Sequence, residues 1–273
     1  MSFAKYVRTL FITFCSCVLA FFLLVVFQIN APTQSSYWIH EIYQVKTAIA
    51  RSIQQPKLVL VGGSETLFST SCEMIYEALG IPCVNGGTHA GLDPDYLFYA
   101  ARSFLQPGDT VLLTLPYDLY TYQGDLRSVL IDYVLARDPQ YLRAVDWSTR
   151  ASFFTGVTFS RLQEGYKAKL SPPAPDPFER YQAKNLNQYG DETIIFAPGS
   201  EDEFAATIAE SGPQAEIDGY VASSDGMDRI TAFTNWCQQQ NIRLLVTYPS
   251  TIRFDEYEQE ASRRAFFRSI ENF

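Results

Sequence analysis

Residues Leu10 to Ile29 read "LFITFCSCVLAFFLLVVFQI", an apolar run that contains no charged residue. At about 1.5 Å of helical rise per residue, some 20 residues cover roughly 30 Å, the thickness of bilayer hydrocarbon. Lys5 and Arg8 precede the run, and the next basic residue is Lys46. The positive-inside bias therefore predicts a cytoplasmic N-terminus and an extracytoplasmic remainder. A cleavable signal peptide is the competing reading, but its apolar part is usually about 7–15 residues and ends in a small-x-small site. The nearest candidate here is "INAP", with Ile in the wrong place and Pro directly after it. A single-pass, uncleaved anchor through residues 10–29 is the expectation, with the bilayer as the first partner. Neither Cys15 nor Cys17 lies in a lipobox-like context. His40, beside Tyr37 and Trp38, reads as part of an interfacial belt and is assigned no chemistry.

The 273 residues carry 21 basic and 30 acidic side chains, a formal charge of −9. That length suits one medium domain plus an attachment segment, and the acidic balance argues against nucleic acid as a partner. Cys72, Cys83 and Cys237 lie beyond the apolar run. Being odd in number and lacking a CxxC spacing, they are expected to be small buried hydrophobes. With His40 and His89 as the two histidines, a His-rich metal site is excluded. No metal or cofactor is expected.

Three parts follow along the chain: residues 1–30 as cytoplasmic tip and anchor, 31–55 as a juxtamembrane helical segment, and 56–273 as an α/β domain. "KLVLV" (57–61), "IPCVN" (81–85), "TVLLTL" (110–115) and "IRLLVTYP" (242–249) read as strands. The helical pattern Leu67, Ser71, Met74, Ile75, Ala78 follows the first, with Gly80 as its C-cap. Leu97, Ala100, Ala101 and Phe104 mark another helix, and Ile230, Phe233 and Cys237 a third. Strands alternating with helices imply right-handed crossovers and a parallel sheet covered on both faces. The fold class expected is a three-layer, flavodoxin-like α/β sheet behind one transmembrane helix. Residues 124–220, richer in Pro, Gly and charge, read as a largely helical insertion.

In an open parallel sheet, functional residues collect at the carboxyl ends of the strands. Three loops qualify: Gly62-Gly63-Ser64, Asn85 to Gly91, and Pro116-Tyr117-Asp118. Two glycines allow a tight turn and close backbone approach before Ser64, whose hydroxyl would stand at a helix N-terminus. Such a hydroxyl is either an N-cap, contributing about 0.5–2 kcal/mol, or an acyl-transfer nucleophile. A phosphate loop would need GK[ST], a dinucleotide site G-x-G-x-x-G, and a hydrolase elbow G-x-S-x-G; none of these is present.

"LVLVGGSETLF", "IPCVNGGTHAGL" and "LQPGDTVLLTLPYDLY", in this order, resemble the SGNH-hydrolase superfamily. The likeness is greatest to its membrane-anchored, envelope-polysaccharide-associated branch, which includes the D-alanine transfer protein group. The resemblance covers about 56–122 and 225–250. It implies that Ser64 is the nucleophile and that Gly86, with Gly87 as the register alternative, supplies an oxyanion donor. Gly63, beside the nucleophile, and Asn85, beside the donor, complete the set. The substrates implied are an acylated polysaccharide or an acyl donor, and membrane-complex partners would fit.

Two departures qualify these implications. "PYDLY" stands where soluble members carry a Gly-x-Asn-Asp block, so Asp118 is either the orienting residue of that loop or a solvated carboxylate. The D-x-x-H block near the C-terminus is not in this chain, which ends in the helix-like "YEQEASRRAFFRSIENF"; a longer parent protein would add a strand and that loop. A serine needs a base to become nucleophilic, and His89 is the substitute on the same rim. The functional expectation is an extracytoplasmic SGNH-type esterase or O-acyltransferase acting on envelope or exopolysaccharide acyl groups, its base missing from this chain or supplied by His89. The alternative is a non-catalytic, anchored binding or assembly component of a polysaccharide modification or export complex.

Overall fold

A computed structural model describes residues 2–175, 181–194, 205, 224–249 and 261–271. The chain forms two units, one of Met1–His40 with Leu126–Glu179, the other of Glu41–Asp125 with Arg180–Phe273.

In the second unit, the four apolar runs are β1 (Leu58–Gly62), β2 (Cys83–Asn85), β3 (Thr110–Thr114) and β4 (Arg243–Val246). They form one sheet in the order β2-β1-β3-β4, every pair parallel. Val59, Leu60 and Val61 of the inner strand β1 are all buried, as an uninterrupted apolar strand covered on both faces requires. Gly62 at its end is level with Thr114 of β3.

The helix expected after β1 is two helices, α3 (Ser64–Ser69) and α4 (Cys72–Leu79), because Thr70 and Ser71 are extended. The Ser71 hydroxyl accepts the Met74 amide and starts α4 afresh. The predicted common face is lost: Leu67 is buried, whereas Met74 is 69% exposed. Gly80 is the left-handed C-cap (φ 67°), its N–H donated to Tyr76 O.

Two of the three cysteines depart from expectation. Cys72 opens α4, Cys83 opens β2, and their Cα atoms are 5.1 Å apart, joined by a disulfide that packs on Leu60. A bridge of this kind typically contributes about 2–4 kcal/mol by restricting the unfolded chain. Cys237 is a buried thiol as expected, its pKa pushed up to about 11 by burial.

α5 (Asp93–Ala101), with Pro94 in its first turn, buries Tyr96, Leu97, Phe98 and Ala101. α10 (Asp225–Gln239), numbered after the helices of the first unit described below, stacks Phe233 on Phe98 at 4.5 Å between ring centroids. On a different side of α10, a Cβ on Gly226 would fall 2.1 Å from Leu119 O, so the approach of α10 to the Leu119–Tyr120 backbone accepts only glycine. α6 (Tyr117–Tyr120), Tyr248 and α11 (Ala261–Glu271) share an aromatic cluster of Tyr117, Tyr120, Phe266 and Phe267. At the amino edge of the sheet, Lys57 Nζ pairs with Asp109 Oδ2 at 2.7 Å, both side chains buried.

The first unit holds α1 (Phe3–Phe27), the start of α2 (Ser36–Ser52), α7 (Ser128–Arg137), α8 (Trp147–Thr155) and α9 (Phe159–Leu170). The 25 residues of α1 are long and apolar enough to cross a membrane, and Val25 is its buried residue. The unit is tied together by a polar centre. Asp132 Oδ2 accepts Thr33 Oγ1 and Ser35 Oγ, both at 2.6 Å, and Arg161 Nε lies 2.5 Å from Asp132 Oδ1. Arg161 Nη1 then donates to Gln28 Oε1 at 3.1 Å. Asp146 caps α8 and Thr158 caps α9. Of the segment expected as a helical insertion, α7, α8 and α9 belong to this unit, together with the N-terminal helix.

Candidate functional site at the carboxyl edge of the sheet

Gly63, not Ser64, is the N-cap of α3; Ser64 is its first residue, so its hydroxyl is not the cap that sequence alone allowed. Ser64 is half-buried, with Oγ 3.5 Å from Glu65 Oε2. Its N–H belongs to the first turn, where no acceptor exists within the helix. A Cβ on Gly62 would stand 2.5 Å from Thr114 O, and one on Gly63 2.8 Å from the Ala90 Cβ. The paired glycines therefore let the end of β3 and the His89–Ala90 turn close onto the start of α3. Thr66 Oγ1 fastens the contact, 2.9 Å from Thr114 O and 2.6 Å from Thr114 Oγ1.

The second loop is engaged inward. Gly86 N–H donates to Leu60 O at 2.9 Å, and Gly87 N–H to Asn85 Oδ1 at 3.0 Å. Asn85 is fully buried, and its Nδ2 donates to Thr66 O (3.1 Å), Thr70 O (2.9 Å) and Asp191 Oδ1 (3.2 Å). Gly86 and Gly87, assigned as oxyanion donors by the resemblance, thus direct their amides into the fold, and Asn85 holds α3, the break after it and Asp191 together. His89 Nδ1 accepts the Gly91 amide at 2.9 Å. In the neutral ring the proton then sits on Nε2, so the imidazole as held presents a donor and lacks the lone pair a base needs. Asp118 lies half-buried on α6, flanked by the buried rings of Tyr117 and Tyr120. Burial raises the Tyr120 phenol above its ordinary range.

Three residues beneath this edge carry no motif in the sequence. Asp191 accepts the amides of Cys72 and Glu73, each at 2.9 Å, and so caps α4 from more than a hundred residues away. Asp93 is fully buried with φ 57° and ψ 158°, a backbone state that costs a non-glycine residue about 1–3 kcal/mol. Lys46 of α2 is fully buried, and its Nζ donates to Gly87 O at 2.6 Å and lies 3.4 Å from Asn85 Oδ1. One signal could have found it: Ile42, Tyr43, Lys46 and Ala50 share the apolar stripe of an amphipathic helix, where a lysine is out of place.

Burial lowers the Lys46 pKa to about 7, against the opposing pull of Asp191 and Glu192. Between about pH 7 and the ordinary lysine value near 10.4, the unfolded chain binds this proton and the folded chain does not. Stability should therefore rise with pH across that interval, by at most about 1.4 kcal/mol per pH unit from this group. Denaturation midpoints measured from pH 7 to 10 should show the rise in wild type, and Lys46→Met should flatten it. An equal slope in both proteins would remove Lys46 as its source.

The edge thus combines a half-exposed serine hydroxyl, a neighbouring carboxylate and a backbone packed by glycines, supported on a buried polar hub. Comparison with protein-family models, with curated proteins and with solved structures finds no match for this chain.

Proposed function

We propose that the chain is a membrane-anchored, extracytoplasmic protein of the SGNH-hydrolase type, with Ser64 at the nucleophile position for acyl groups on envelope or exopolysaccharide. The observation that carries this reading is the placement of Ser64: first residue of a helix, directly after a strand and two glycines, with its hydroxyl not used as the cap. The strand order β2-β1-β3-β4 supports a three-layer, flavodoxin-like arrangement, in which the carboxyl ends of the strands form the working edge. The Cys72–Cys83 disulfide supports an oxidising compartment, and hence a globular part outside the cytoplasm. In this reading Ser64 Oγ attacks the acyl carbonyl carbon, the Ser64 amide faces the developing oxyanion, and collapse breaks the ester C–O bond so that the sugar oxygen leaves as an alcohol with the serine proton. Acyl transfer is slow, because His89 must release the Gly91 amide before it can take the serine proton.

A second reading, an anchored binding or assembly component without turnover, is favoured by a separate observation. The Gly86 and Gly87 amides, the Asn85 side chain and His89 Nδ1 are all engaged within the fold. A fluorophosphonate probe separates the two. Wild type should be labelled and Ser64→Ala should not, with the variant's stability within about 0.5 kcal/mol of wild type because no cap is lost. Absence of labelling in both proteins would overturn the enzyme reading and leave the binding one.

A further inference from the structure

We infer that α8 and α9 form a second membrane contact, a helical pair seated in the extracytoplasmic interface of the bilayer beside α1. This inference rests on α1 being the anchor, and it is independent of the acyl chemistry at Ser64. Phe154 of α8 lies against Phe22 of α1, ring centroids 5.3 Å apart, and Tyr166 of α9 against Phe27 at 6.2 Å. Phe22 sits within the apolar run, about 10 Å along the helix axis before Ile29. If α1 crosses the bilayer, Phe154 is held beside a residue about 10 Å inside the end of the apolar run, at the deep limit of the roughly 5–10 Å to which an interfacial helix sinks, and α8 cannot stand clear of the lipid.

The contact is built closely. Gln28 Nε2 donates to Leu162 O at 2.6 Å, and a Cβ on Gly165 would fall 2.4 Å from Gln28 Oε1. Lys169 Nζ donates to Ile29 O at 3.1 Å, the shallowest of these contacts, where a lysine reaches the headgroup level. The outer faces of the two helices then match the lipid they would meet. Trp147 is 80% exposed and Phe159 83%, with Leu170 and Tyr166 also exposed. Trp and Tyr with aliphatic neighbours and basic side chains make up an interfacial helix. In a chain of charge −9, this stretch carries Arg150, Arg161, Lys167 and Lys169 against Glu164. Arg161 is engaged with Asp132, and Arg150, 4.8 Å over the Trp147 ring, donates to Val145 O and Arg143 O, so the exposed Lys167 is the cation offered to lipid phosphate.

The test uses the full chain in phosphatidylcholine–phosphatidylglycerol vesicles whose acyl chains are brominated near the headgroups. In a Trp38→Phe background, which removes the indole nearest the end of the anchor, brominated lipid should quench part of the tryptophan fluorescence, and Trp147→Phe should remove most of the quenched part, leaving the signal of Trp236. Phe159→Trp added to Trp147→Phe should restore quenching. If Trp147→Phe leaves the quenched fraction unchanged while the protein resists alkaline carbonate extraction, the seating of α8 and α9 is overturned and the anchor stands. If carbonate extracts the wild-type protein, the anchor and the seating both fall, whatever the fluorophosphonate result at Ser64.

Discussion

Asn85→Asp is expected to destabilise the sheet-bearing unit by about 3–5 kcal/mol at neutral pH, although it changes one NH₂ group for an oxygen. Asn85 Nδ2 faces three acceptors, the carbonyls of Thr66 and Thr70 and the carboxylate of Asp191. A carboxylate there turns three favourable contacts into acceptor–acceptor oppositions in a fully buried site. Lys46 Nζ lies 3.4 Å from Asn85 Oδ1, on the side of the group away from the three acceptors, so it can pair with one carboxylate oxygen but leaves the other facing them. The side-chain volume is unchanged, so no cavity confounds the result. Chemical denaturation of the detergent-solubilised protein should show the loss, and the deficit should shrink toward pH 4 as the new carboxyl takes up a proton. An unchanged midpoint at pH 7 would mean that Asn85 is not the hub. The effect also bears on function, because the same side chain accepts the Gly87 amide and sets the loop that closes on Ser64.

The second large effect is expected at the opposite edge of the sheet. Lys57→Met should cost about 3 kcal/mol, since it leaves Asp109 buried without its cation. Asp109→Ala should cost more, about 4 kcal/mol, because Asp109 does two further jobs. Its Oδ1 accepts the Lys57 amide at 3.0 Å and its Oδ2 the Gln106 amide at 2.8 Å, and their loss leaves the first unpaired in the interior and the second at a half-buried position. For the same reason the double variant should not recover the loss, unlike a simple ion pair replaced by apolar groups. A double-mutant cycle read by denaturant midpoint gives both numbers. A double variant as stable as wild type would show that the two backbone bonds contribute little.

The strands were legible because burial on both faces produces a continuous apolar run, as in "KLVLV" and "TVLLTL". The membrane-length helix was legible for a similar reason, its residues from Leu10 onward being apolar on every side. Turn chemistry was legible where one residue type is required, as at Gly80 with its positive φ. The helix after β1 was misjudged because its periodic pattern spans a break imposed from outside. Asp191 draws the Cys72 and Glu73 amides to itself and begins a new helix there. The disulfide was missed because an odd count of cysteines does not say which two ends meet.

At the candidate site, sequence by itself determined which backbone segments reach the carboxyl edge: strand, glycine pair, serine, and the second glycine loop. What those groups do there was decided by tertiary structure alone. Gly86 directs its amide to a strand, His89 accepts a backbone proton, and Asn85 binds positions 46, 66, 70, 87 and 191 into one buried network. The reason is physical. A strand or a glycine turn is specified by neighbours a few residues away, whereas a hydrogen bond in a buried site depends on partners that only folding brings together.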